Sequence, residues 1–257
     1  YTAYIRYGGF NDFRGGGRFS GRITAAYVMA GALARKLLST MNIEVLAHTV
    51  QIGRVMLSKE VSYNDIRRNV YQNPVRCAAP ETASSMRDEI LEASASGDSV
   101  GGIVEALALN VPAGLGDPIF GSLDSDIAKL FFNIPAVKGV EFGSGFKSAS
   151  MKGSENNDEY VLKEGKVSTL TNNAGGILGG ISTGMPIFVR VAFKPTSSIP
   201  KKQKTVDLSR MEETEIEFTG WSDPCVVPRA VPVVESCLAF ILADHAIRAG
   251  KIPRILK

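Results

Sequence analysis

From residue 23 to 38 the chain runs ITAAYVMAGALARKLL, apolar on nearly every side, free of proline, with Ala26, Ala30 and Ala34 at i, i+4 spacing. That pattern predicts a buried helix, because a helix hydrophobic all round has no face to offer to water. A second is expected over residues 233–249, where VVESCLAFILADHAIRA is stopped by Gly250 and then Pro253. Glu235, Asp244 and Arg248 are its expected wet points. Residues 84–95, SSMRDEILEASA, have the polar and apolar faces of an amphipathic helix, with serines available as caps. Residues 122–132 repeat that grammar with Ser122 or Asp124 as cap. Strands are expected over residues 45–55, 101–111 and 186–193; in the last, Ile187, Val189, Val191 and Phe193 alternate with Phe188, Arg190 and Ala192. Residues 195–206 are expected as a loop, and the polar run 148–173 as a mobile insertion. Two all-apolar helices beside alternating strands predict one α+β domain with its helices held between sheets.

Composition narrows the partners more than the fold. Apolar residues make up 44% of the 257 and the formal net charge is +3, too small for a general nucleic-acid or membrane-surface binder. Positive potential must be local. Glu235 and Asp244 interrupt the most apolar stretch, so no membrane span is expected, and no secretory signal is visible. Cys77, Cys225 and Cys237 form no CxxC pair and leave one unpaired in any disulfide scheme, which fits a reducing compartment such as the cytoplasm. His48 and His245 lack ligand-spaced partners, so both are expected to be structural and no metal site is expected.

Four stretches have the residue types of a site. RGGGRFSGR, residues 14–22, stands before the first long helix, where unsatisfied N–H groups and the positive dipole end favour an anion that Arg18 and Arg22 would grip. A glycine-rich turn with surface arginines is the competing reading. FKPTSSI, residues 193–199, places a lysine and three hydroxyls directly after a strand. AGGILGGISTG, residues 174–184, has too many glycines for a regular element, which implies positive φ or a backbone pressed against a partner. In GWSDPCVVPRAVPVVES, residues 220–236, Asp223 precedes a proline, a position more often taken by a helix cap or turn former.

Together these stretches, with GDSVGGIVEALALNVPAGLGDPIFGSLDSDIAKLFFNIPAVKGVEFGSGF (97–146) and GSENND (153–158), resemble the chorismate synthase family in order and spacing across nearly the whole chain. The resemblance implies a β-α-β sandwich with buried helices between antiparallel sheets, a homotetramer, and a cytoplasmic lyase. That lyase would convert 5-enolpyruvylshikimate 3-phosphate to chorismate and phosphate by anti 1,4-elimination, with reduced FMN and no net redox change. Some family members also reduce the flavin with NAD(P)H. By position, Arg18, Phe19 and Ser20 match flavin contacts, and Arg22 points to the anionic substrate. Pro135, Ala136, Gly179 and the run Lys194, Pro195, Thr196, Ser197 and Ser198 match further flavin contacts. Asp223 matches the aspartate that helps flavin N5 take or pass on the substrate proton.

The chain departs from the family pattern where GWSDP stands for Gly-Arg-His-Asp-Pro, with Trp221 and Ser222 replacing an arginine and a histidine. The point matching Tyr1 is internal to the family's chain, so residues 1–257 are expected to be one domain short of the family's N-terminal part. That part holds two histidines regarded as catalytic acids, and neither His48 nor His245 matches them. A flavin-binding remnant without catalysis is the alternative at this point.

Overall fold

The computed structural model describes residues 1–220, 222–253 and 255. After a short helix α1 (Thr2–Arg6), the chain enters α2 (Thr24–Ser39) through two 3₁₀ turns. Strand β1 (Glu44–Ile52) and the two-residue β2 (Val55–Met56) follow, then α3 (Tyr63–Asn69), whose Ser62 and Asp65 form a reciprocal capping box. Next come α4 (Pro80–Ala95), β3 (Gly102–Leu109), α5 (Leu123–Phe132) and β4 (Val137–Phe142). The region expected as an insertion contains the short α6 (Gly153–Asn156) and a hairpin of β5 (Tyr160–Lys163) and β6 (Lys166–Thr169). A tight hairpin, β7 (Ile177–Leu178) and β8 (Ile181–Ser182), leads to β9 (Ile187–Phe193). The exposed hairpin β10 (Gln203–Asp207) and β11 (Glu212–Ile216) precedes the long α7 (Val227–Arg248).

The large sheet has the order β2-β1-β3-β9-β4, antiparallel at every pairing. In β9, Ile187, Val189, Val191 and Phe193 are buried while the residues between them are partly exposed, as the alternation predicted. One row crosses four strands in register, His48 beside Glu105, Glu105 beside Arg190, and Arg190 beside Glu141. His48 Nε2 lies 3.4 Å from the Glu105 carboxylate, and Arg190 Nε lies 2.7 Å from that of Glu141. His245 likewise pairs with Asp126, 3.0 Å away, tying α7 to α5. Each histidine thus pairs with a carboxylate on a neighbouring element.

α7 packs on β1 and β3 and runs beside α2. It begins at Val227, six residues before the expected start, because Pro228 falls in the first turn, where no amide donor is needed. It is long and apolar enough to cross a membrane, but 72% of its most apolar window is buried inside the protein, which accounts for its composition. α4 also starts early, with Pro80 in its first turn and no serine cap. β10 shortens the expected loop 195–206 at Gln203.

α2 departs from expectation more seriously. Only Gly31, Ala34 and Leu38 are buried; Met29 is 66% and Leu33 74% exposed, because α7 and β1 meet the helix on one side. The closest contact falls on Gly31. A Cβ at Gly31 would lie 2.2 Å from Ser236 Cβ and 2.5 Å from its Cα, so the helices touch backbone to backbone there.

Glu235 is the second correction. Expected at a wet point, it is 2% exposed, accepts a hydrogen bond from the Tyr71 hydroxyl at 2.6 Å and pairs with Arg35 at 3.0 Å. Burial pushes its carboxyl above the ordinary 4.5 despite both partners. A raised folded-state value contributes stability that is complete below the unfolded value and is lost as pH rises through the folded one. The contribution of Glu235 should therefore fall as pH rises from about 4.5, against the opposite trend of carboxylates such as Asp158 whose values are lowered. By denaturant titration across that range, the stability of wild type relative to Glu235→Gln should fall as pH rises; a pH-independent difference would remove the ionisation from the account. The three cysteines are free and buried, and burial pushes the Cys225 thiol up to about 11 and that of Cys237 to about 12.

Candidate functional site

The first turns of α2 and α7 open into one cavity of about 800 Å³. Thr24 and Ala25 line it from α2, and Val226, Arg229 and Ala230 from the start of α7. Neither α-helix has a side-chain cap on its own first turn, although Ser20 caps the 3₁₀ turn that runs directly into α2. Since Gly31 meets Ser236 about two turns further along each helix, α2 and α7 run parallel. Two positive dipole ends therefore converge on the same space, an arrangement that favours an anion.

Around that space the structure gathers most of the sequence candidates. Phe19, Ser20 and Arg22 come from the 3₁₀ turns leading into α2, where the Ser20 hydroxyl accepts the Arg22 N–H at 3.3 Å. Pro135 and Ala136 come from the turn between α5 and β4, where Ala136 adopts φ +74°. Lys194, Pro195, Thr196 and Ser197 follow β9. Two remote serines hold this last loop: Ser99 donates to the Thr196 carbonyl at 2.6 Å and Ser222 to that of Ser198 at 2.5 Å. Asp223 closes the lining beside Arg229.

Three candidates stand apart from this lining. Arg18 lies over the Tyr7 ring, 5.9 Å from its centroid. Ser198 lies midway along the loop between β9 and β10, outside the lining. Gly179 sits in the β7–β8 turn at φ +60°, with open space for 4 Å around the point a Cβ would occupy, so positive φ is what calls for glycine there. The glycine-rich stretch is organised from elsewhere: Asp158 accepts from the Thr171 hydroxyl at 2.6 Å and from the Asn173 and Ala174 amides at 2.7 and 2.9 Å. Burial works to raise its carboxyl, and these three bonds outweigh burial and hold it below the ordinary range. Trp221 lies outside the described residues.

Arg229, which the sequence places in the same stretch as Asp223 without a role, is a further member. Arg229 grips Asp223 with both arms of its guanidinium, Nε to Oδ2 at 3.0 Å and Nη2 to Oδ1 at 3.1 Å. Asp223 is thus no helix cap, the role its place before proline suggested. The spacing of six residues, across a helix start that was not foreseen at Val227, hid the pair.

The cavity suits a flavin with an anionic companion. Its volume falls within the roughly 300–1,000 Å³ of small-molecule sites. Phe19, Pro135, Ala136 and Pro195 give flat apolar walls, and Arg22 and Lys194 give cations for phosphate. The Thr196 hydroxyl is buried without a partner, a polar atom left for a ligand to satisfy.

Comparison with known proteins points to one family. A family model described as chorismate synthase matches residues 1–247. A chorismate synthase of Dehalococcoides mccartyi is 52% identical over 257 residues, 100% of this chain and 70% of the relative. One from Korarchaeum cryptofilum is 55% identical over 249 residues, 97% of this chain and 69% of that protein. A crystal structure of chorismate synthase superposes with a TM-score of 0.76 at 34% identity, covering 90% of this chain. The chain spans 64% of the length of that solved structure.

Proposed function

This chain belongs to the chorismate synthase family, and from that premise we propose that the protein carrying it converts 5-enolpyruvylshikimate 3-phosphate to chorismate and phosphate. The reaction is an anti 1,4-elimination on the shikimate route to aromatic amino acids, run in the cytoplasm by a homotetramer. Reduced FMN, when bound, supplies electron density for breaking the allylic C–O bond and a place for the ring proton to go.

The convergence of two helix N-termini with Arg22 and Lys194 on one cavity carries the proposal. Loss of phosphate builds negative charge on the departing oxygen, and preorganised N–H dipoles and guanidinium donors stabilise that charge without reorganising. Arg22 faces the anionic groups of the substrate. Phe19, Ser20, Pro135, Ala136 and the Lys194–Ser197 loop hold the flavin, with the Thr196 hydroxyl as one polar contact. Arg18, Gly179 and Ser198, outside the lining, remain flavin contacts on the family resemblance alone. Asp223 holds and passes on a proton at its carboxylate beside the cavity.

The intact protein, given the enolpyruvyl phosphate and reduced FMN without oxygen, should release inorganic phosphate in step with chorismate absorbance. Binding of FMN with no phosphate release would leave the silent remnant instead.

A further inference from the structure

Asp223 lies on non-helical chain, with its carboxylate 34% exposed and its aim not set by capping. Among the described residues, its side-chain partner is Arg229. Arg229 belongs to the first turn of α7, where its backbone N–H donates to the Val226 carbonyl at 3.1 Å, so it moves with a 22-residue core helix. Its planar fork meets both carboxylate oxygens, which fixes the plane of the group as well as its position. Each oxygen keeps a further lone pair for a proton. At 75% exposure the guanidinium contributes little to folding, since exposed ion pairs are weak.

We propose that Arg229 is the positioning residue for Asp223, acting through that carboxylate to hold it in register with the ligand cavity. The proposal rests on the functional reading above and adds a residue to it. An unheld aspartate samples several rotamers, and a misplacement of about 1 Å at a reacting group can cost on the order of 10²-fold in rate.

The test uses the intact protein with Arg229→Gln, Arg229→Lys, Asp223→Asn and the Asp223→Asn/Arg229→Gln double variant. Arg229→Gln should lower kcat by roughly 10- to 100-fold, with KM for the enolpyruvyl phosphate within about threefold of wild type. Arg229→Lys, which keeps the charge and loses the fork, should recover part of the rate. In the Asp223→Asn background, Arg229→Gln should cost nothing further, because a residue acting only through Asp223 has nothing left to position. Melting temperatures should stay within about 2 °C, as expected for an exposed pair. Multiplying losses, or a raised KM at constant kcat, would overturn the proposal in favour of direct contact between Arg229 and substrate. A crystal structure of Arg229→Gln gives a readout apart from turnover: the Asp223 carboxylate should leave its wild-type rotamer or occupy several. An unmoved carboxylate overturns the proposal. Absence of phosphate release by wild type would sink the functional reading instead, and the rotamer would still decide the role of Arg229.

Discussion

Arg22→Ala should lower kcat/KM for the enolpyruvyl phosphate on the order of 10²- to 10³-fold, the usual effect of removing one preorganised donor from a developing oxyanion. Arg22 stands on the turn before α2 and lines the cavity where two helix N-termini converge. The dipoles remain after the substitution, but the full charge and the forked donors go. Flavin affinity, measured by fluorescence quenching, should stay within about threefold, because Phe19, Pro135, Ala136 and the Lys194–Ser197 loop are untouched. Arg22→Lys should recover part of the lost rate. Normal turnover in Arg22→Ala would move the substrate's anionic contact to another cation of the lining, Lys194 or Arg229.

The second large effect is on folding. Glycine in the middle of a helix costs roughly 1 kcal/mol relative to alanine, so Gly31 needs a packing reason. It has one in Ser236, whose Cβ, Cα and carbonyl oxygen all lie within 2.8 Å of where a Cβ would stand. Two of these three atoms are backbone, so a rotamer change cannot relieve the clash. Gly31→Val should destabilise the protein by about 3 kcal/mol or more, lowering the melting temperature by roughly 6–12 °C. The cavity opens at the N-terminal ends of the same two helices, so forcing them apart should weaken flavin binding too. A melting temperature within about 2 °C of wild type would mean that α2 and α7 do not touch here.

Much of the fold is legible in the sequence where local pattern and tertiary demand agree. β9 alternates because one face meets the core, and α5 starts at Leu123 behind Ser122, which takes the expected N-cap position without making the capping bond. The pattern misleads where a feature depends on what lies across from it. Glu235 looks like a wet point until Tyr71 and Arg35, far away in sequence, are brought against it. Met29 and Leu33 look like core residues, yet the packing of α2 on α7 and β1 turns them outward. Asp223 looks like a cap until Arg229 takes its carboxylate.

By itself, the sequence determined the helix and strand types, the α+β character and the residue types of an anion-binding site, because these follow from periodicity and side-chain chemistry over a few neighbouring positions. It also assembled the candidate list, in which RFSGR, IPA, KPTSS and Asp223 lie far apart along the chain. Only the tertiary structure decided that these segments share a cavity, that two parallel helices begin there, and that Arg229 holds the aspartate. Those are relations between backbones distant in sequence, fixed by the close approach of Gly31 to Ser236 and by the sheet on which α7 lies, and no local pattern encodes the direction in which one helix passes another.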